Sequence, residues 1–228
     1  MNLILTFFDI NTIAISILGY NLSWVELIGT SFGFWCVYLT AKEKILCWPI
    51  GIVNIIFFFI LFYQVQLYSD MLLQFIFFVM SIFGWWKWTH PRKESLANSK
   101  RELKISDLAI MEFLIWIGLS TIAVMGLGFF MTQIHLISPL WFPEPAAYSF
   151  ADAYTTVFSI SAQIIMALKK RQCWLFWIAV DLVACVVYFL KGINFVAIEY
   201  IFFTIIAYFG YMNWTKETRA YQSPEPSL

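Results

Sequence analysis

The sequence predicts an all-α integral membrane protein: seven transmembrane helices arranged as two parallel three-helix bundles joined by a linker helix, a 3+1+3 plan. Three observations predict it. The 228-residue chain is 61% hydrophobic and 12% charged, whereas soluble domains carry about 25% charged residues. Its apolar residues gather in runs of about 18–20, long enough to cross a hydrocarbon core of roughly 30 Å. The chain also repeats itself. A gapless shift of 126 residues carries Cys47 onto Cys173, Trp48 onto Trp174, Gly84 onto Gly210 and Trp88 onto Trp214. Such a repeat means one structural unit used twice.

Residues 1–21 are apolar but interrupted by Asp9 and Asn11. They lack the basic start and small-residue cleavage site of a signal peptide, and read as an interfacial helix or a marginal extra span. The first repeat occupies 22–88, with spans near 22–40, 46–63 and 71–88. A polar cytoplasmic loop, 89–104, leads to the linker span at 105–130, where Gly118, Gly126 and Gly128 would permit close helix packing. A loop at 131–150, with Pro139, Pro143 and Pro145 beside Trp141 and Phe142, reads as periplasmic and interfacial. The second repeat, 151–214, holds spans near 151–168, 173–190 and 195–214. The tail, 215–228, reads as cytoplasmic, and disordered after Tyr221. The spans must be helices, because an open strand would leave backbone groups unsatisfied in lipid.

Charge sets the orientation. Thirteen of the fourteen Lys and Arg residues fall in the segments 42–44, 87–104, 169–171 and 216–219, all on one side of this plan; Lys191 alone falls on the other. The positive-inside rule then places the N-terminus outside and the C-terminus in the cytoplasm. An odd linker span lets both three-helix units point the same way, a known transporter plan. Net charge is zero, so bulk charge points to no nucleic-acid partner.

Polar residues deep in a span are costly and therefore candidates for a site. In the sixth span Trp174, Trp177, Asp181 and Tyr188 follow at intervals of 3, 4 and 7, which keeps them on one helical face. Asn54 is the near counterpart of Asp181 in the second span, off by one, since the shift carries Asn54 onto Val180. A one-residue gap would repair the match. Gln74 in the third span maps onto Tyr200 in the seventh, next to Glu199. Gln163 lies in the fifth. Trp48 and Trp174 read equally as interfacial belt or as site. Trp85, Trp86, Trp88 and Trp214 read as belt residues at the cytoplasmic boundary, and Pro49 as a candidate kink in the second span. Cys36, Cys47, Cys173 and Cys185 form no C-x-x-C pair and read as small buried apolar residues. There is no G-x-x-x-x-G-K-[ST] loop, no H-E-x-x-H and no G-x-S-x-G elbow. No catalytic residue, cofactor or metal site is therefore expected, and the chain is not read as an enzyme.

The run "CWPIGIVNIIFFFILFYQVQLYSDMLLQFIFF…GWWKW" and its second copy "CWLFWIAVDLVACVVYFLKGINFVAIEYIFF…FGYMNW" resemble the PnuC-type nicotinamide riboside transporters over about residues 22–214. The resemblance rests on Trp48 with Asn54, Tyr68 to Gln74 and Gly84 to Trp88, then on Trp174 with Trp177 and Asp181, and on Glu199-Tyr200 to Trp214. It implies a fold similar to the SWEET sugar transporters. It also implies uptake of nicotinamide riboside, an NAD precursor, across the bacterial inner membrane by facilitated diffusion, with a cytoplasmic riboside kinase trapping the product. The Pro-Gln pair of that wider superfamily is replaced here by Trp48-Pro49, a departure that weakens a reading as a sugar porter.

The riboside carries a cationic pyridinium ring, a carboxamide and ribose hydroxyls. Faces of Trp177 and Tyr200 suit the cation, at about 0.5–2 kcal/mol each. Asn54, Gln74 and Gln163 offer paired donors and acceptors, and Asp181 can offset the charge. A phosphate would need Arg or Lys in the body of a span, where none occurs. The expected substrate-binding set is Trp48, Asn54, Gln74, Gln163, Trp177, Asp181, Tyr188, Glu199 and Tyr200, placed between the two bundles. Expected partners are the riboside, the lipid bilayer and further copies of the chain, as a homotrimer. The alternatives are another solute on the same fold (thiamine, a different riboside or a sugar) and a membrane receptor or assembly subunit that transports nothing.

Overall fold

The computed structural model describes residues 7–17, 19–64, 68–91, 96–97, 102–137, 148–190, 192 and 194–222. The proline-rich loop around Trp141, the basic residues Arg92, Lys93, Lys100, Arg101 and Lys191, and the tail after Gln222 lie outside the described residues. Seven helices are described: α1 (Trp24–Ala41), α2 (Cys47–Gln64), α3 (Tyr68–Thr89), α4 (Ile110–Ile137), α5 (Ser149–Ala167), α6 (Cys173–Leu190) and α7 (Asn194–Gln222). Five of them, α2, α3, α4, α6 and α7, are long and apolar enough to cross a membrane. α1 and α5 match their length but carry more polar residues, Glu26 in one and Asp152 and Gln163 in the other.

The chain forms two compact units. The first takes residues up to Lys104 with Ala167–Lys169 and Met212 onward; the second takes Ile105–Met166 and Lys170–Tyr211.

The first unit opens differently from expectation. Where a helix was predicted over 1–21, β1 (Ile13–Ile17) and β2 (Tyr20–Ser23) pair as an antiparallel hairpin. The reason is local. Ile13, Ile15 and Ile17 alternate with smaller residues and favour extended backbone, and Gly19 turns with φ +81°. The hairpin feeds directly into α1. Ser23 caps it, receiving the Glu26 N–H at 3.2 Å while the Glu26 carboxylate accepts the Ser23 N–H at 2.8 Å, a reciprocal capping box. Gln64 at the end of α2 holds the preceding segment by donating to the Phe8 carbonyl and accepting the Ile10 N–H.

Small residues let α1 and α2 approach. A Cβ at Gly29 would stand 3.1 Å from the Phe58 ring, and one at Gly51 2.9 Å from the Cys36 sulfur. Pro49 falls in the first turn of α2, where the absent N–H has no helical partner to lose. At this position it breaks no helical hydrogen bond, so the cause of the kink read for the second span is absent.

α1 and α5 end alike. Past the C-terminus of α1 the Glu43 N–H reaches the Thr40 carbonyl and the Lys44 N–H reaches Leu39; past α5 the Lys170 N–H reaches Ile165. These bonds satisfy the last open carbonyls, with a left-handed residue after each helix. That residue is Glu43 (φ 58°) in one case and Lys169 (φ 55°) in the other.

In the second unit the linker helix α4 starts and ends later than predicted. Residues 105–109 are extended instead, because side chains from the α5–α6 turn occupy their backbone. The Gln172 side-chain Oε1 accepts the Leu108 N–H at 2.9 Å, and Arg171 pairs with Asp107 at 2.8 Å. α4 buries one narrow stripe, Ser120, Val124 and Gly128, spaced four apart on one face. Ser120 bonds Ser161 of α5 at 2.8 Å, and a Cβ at Gly128 would collide with the Phe150 ring. Gly118 and Gly126, also read as packing glycines, face open space. The rest of α4 exposes large apolar side chains such as Leu119, Ile122 and Phe129, as a helix facing lipid does. α7 outlasts its predicted span and continues helically through 215–222, part of the segment read as tail.

Candidate functional site

The two repeats share a frame. In the first unit the Trp48 ring lies where a Cβ of Gly84 would stand. In the second, the Trp174 ring lies 2.6 Å from a Cβ built on Gly210. Both pairs obey the 126-residue shift, and α2 and α6 match end for end at that shift. Only glycine admits an indole this close to a helix backbone. Trp48 and Trp174 are 3% and 1% exposed, so both are packing elements of their units. The Trp48 indole N–H has no hydrogen-bond partner among the described residues.

The belt reading fails for two tryptophans. Trp85 and Trp86 are exposed, but Trp88 and Trp214 are 1% and 0% exposed. Trp88 meets Trp48 edge-on at 5.3 Å and Trp214 at 6.0 Å. The Trp214 indole donates to the Thr40 carbonyl at 3.1 Å. Helical phase decides this. Trp88 lies one turn beyond Gly84 on the buried face, whereas Trp85 and Trp86 are rotated away from it.

The first unit holds three of the predicted site residues. Besides Trp48 these are Asn54 and Gln74. Asn54 is half-buried and donates to the Gly29 carbonyl at 2.8 Å, which ties α2 to α1. Gln74 stands beside Ile55, Phe59 and Phe78 at an apolar cavity of about 120 Å³ between α2 and α3.

The second unit holds the other six. Asp181 is 5% exposed on the inward face of α6, with Trp174, Val180 and Ala184. Leu182, Val186 and Phe189 form the outward face. Gln163 of α5 is 7% exposed. Trp177 and Tyr188 are half-buried on α6, and Glu199 and Tyr200 on α7. Tyr188 and Tyr200 are brought together, their rings stacked at 5.5 Å and 15°. The unit thus buries a carboxylate and a carboxamide, with aromatic side chains half-buried on α6 and α7.

The gap proposed to align Asn54 with Asp181 is absent. With α2 and α6 in register at both ends, Asp181 corresponds to Ile55, and Asn54 to Val180. One pairing escaped the sequence reading: Lys169, buried, meets the partly buried Glu43 at 3.5 Å. The signal was available, since the same shift carries Glu43 onto Lys169.

Fold and interior together define the class: a multi-pass helical membrane protein with a carboxylate and a carboxamide buried within it, as a solute transporter has. The model of the nicotinamide mononucleotide transporter family matches residues 23–216, and the chain belongs to that family. It is 34% identical over 216 residues to the nicotinamide riboside transporter PnuC of Escherichia coli, covering 88% of this chain and 89% of that one. It is 25% identical to PnuC of Neisseria mucosa, over 85% of this chain and 73% of that one. The crystal structure of the vitamin B3 transporter PnuC superposes with a TM-score of 0.67 at 22% identity, covering 86% of this chain and 83% of that chain, which shows a shared fold.

Proposed function

We propose that this chain takes up nicotinamide riboside across the bacterial inner membrane, by facilitated diffusion with alternating access, for use in NAD synthesis. The observation that carries the reading is the buried carboxylate of Asp181, on the same helix as Trp177 and the stacked Tyr188, in a chain whose relatives are nicotinamide riboside transporters. An ionised carboxylate buried in a membrane helix is favoured by a counter-charge, and a pyridinium cation provides one. Gln74 and Gln163 serve the carboxamide and ribose, while Asn54, bonded to the Gly29 carbonyl, ties α2 to α1 at the margin of the set. Trp48 and Glu199 complete the set.

All seven helices span in this reading, in the chain order three, one, three. The N-terminus is outside and the C-terminus cytoplasmic, since Lys42, Lys44, Lys87, Lys104, Lys216 and Arg219 then lie inside. The chain works as a homotrimer, and net uptake depends on a cytoplasmic riboside kinase. The riboside is favoured over the mononucleotide because Lys87 and Arg219 lie in the last turns of α3 and α7 and no Lys or Arg falls in the body of a predicted span.

Purified protein should bind nicotinamide riboside and show a rise in melting temperature with it. Proteoliposomes loaded with riboside kinase and ATP should accumulate labelled riboside. A melting temperature that rises with thiamine or the mononucleotide but not with the riboside would overturn the substrate. Binding without accumulation would point instead to a receptor.

A further inference from the structure

Glu43 and Lys169 hold equivalent places in the two repeats, each just past a helix end and each left-handed. Glycine or asparagine is the ordinary choice there, and a side chain costs about 1–2 kcal/mol in that conformation. Here one repeat places a carboxylate and the other an ammonium, and the two meet at 3.5 Å with side chains 15% and 3% exposed. The Lys169 ammonium also donates to the Leu103 carbonyl at 2.7 Å and lies 4.7 Å above the Trp88 ring. Trp88 in turn packs on Trp214, its own equivalent under the shift. Asn213 adds a bond to the Ala41 carbonyl at 3.0 Å. All of these residues belong to the first unit.

A buried ion pair contributes little net stability, because desolvation offsets its attraction; its better-attested use is to select one arrangement. Two pairs of equivalent residues, one ionic and one aromatic, therefore close one end of the first unit. That end carries the basic residues Lys42 and Lys44.

We propose that Glu43 and Lys169, seated on Trp88, form a latch that is closed in this conformation and must part for solute to cross that end of the protein. The solute passage rests on the transport reading above; the latch itself does not, and its test needs no substrate. Cys47 is 2% exposed and adjoins Trp48, which packs on Trp88. Parting the latch uncovers it.

The test uses the full-length chain with Cys36, Cys173 and Cys185 replaced by alanine, labelled at Cys47 by a water-soluble maleimide. Glu43→Gln and Lys169→Met should each label at least tenfold faster than the parent. The charge exchange Glu43→Lys with Lys169→Glu should return to within about threefold of it. A second background keeps Cys173 alone, the equivalent thiol in the second unit and 0% exposed; its labelling should not change. Unchanged Cys47 labelling, no recovery in the exchange, or equal acceleration at Cys173 (general loosening) would each overturn the latch. Failure of riboside binding by the parent protein would overturn the transport reading alone.

Discussion

Trp48 lies against Gly84 in the first repeat and Trp174 against Gly210 in the second, so the two copies begin from one packing device. Six and seven residues further along the helix, about 10 Å at 1.5 Å per residue, they part. The first has Asn54 bonded to the α1 backbone and Ile55 buried beside it. The second has Val180 and Asp181 at those places, and the carboxylate is buried. The helices are in the same register, so the difference is one of side chains alone. A duplicated frame can be kept by a few close contacts while its interior chemistry diverges. An asymmetric solute, with a charged ring at one end and a sugar at the other, is suited by such divergence.

The comparison can be broken most forcefully at the shared frame. Trp48→Ala and Trp174→Ala each empty a fully packed site and should cost about 3–5 kcal/mol. Thermal unfolding of the purified variants should show comparable losses for the two. A large loss in only one would mean that the repeats are not equivalent scaffolds. Next come Gly84→Ala and Gly210→Ala, which press a methyl into an indole and should cost about 1–3 kcal/mol, with Gly84 the more sensitive because its indole stands closer. Neither should tolerate the change unless its tryptophan is truncated as well.

The divergent positions give smaller effects, read in binding. Asp181→Ala should weaken riboside binding tenfold or more, about 1.4 kcal/mol, and Trp177→Ala several-fold within the range of a cation on an indole face, both with the fold retained. Wild-type affinity in both would remove the site from this face of α6. Asn54→Ala should be the mildest, at about 1 kcal/mol of stability from the lost bond to Gly29 and little change in affinity. A tenfold loss of binding there would make Asn54 a ligand contact and restore the parity between repeats.

Much of this was legible in the chain itself. Span positions followed from apolar runs, and the repeat from Cys, Trp and Gly at one shift, because close packing of an indole on a backbone constrains both partners. The inward face of α6 followed from the spacing of Trp174, Trp177 and Asp181. The hairpin at 13–23 was missed because its composition is that of a helix start, and alternation over so few residues is a weak signal. The late start of α4 was missed because Gln172 and Arg171, some 65 positions away, hold its approach.

The sequence by itself therefore determined the membrane class, the repeat and the family, since each depends on local hydropathy or on matched residues along the chain. Only the tertiary structure decided which tryptophans are exposed and which are core, because that depends on helical phase against a neighbour. It alone showed that α2 and α6 keep one register to both ends, so that Ile55 holds the place of Asp181 in the first repeat. And it brought Glu43 to Lys169, 126 positions apart in the chain, as an ion pair that depends on tertiary packing.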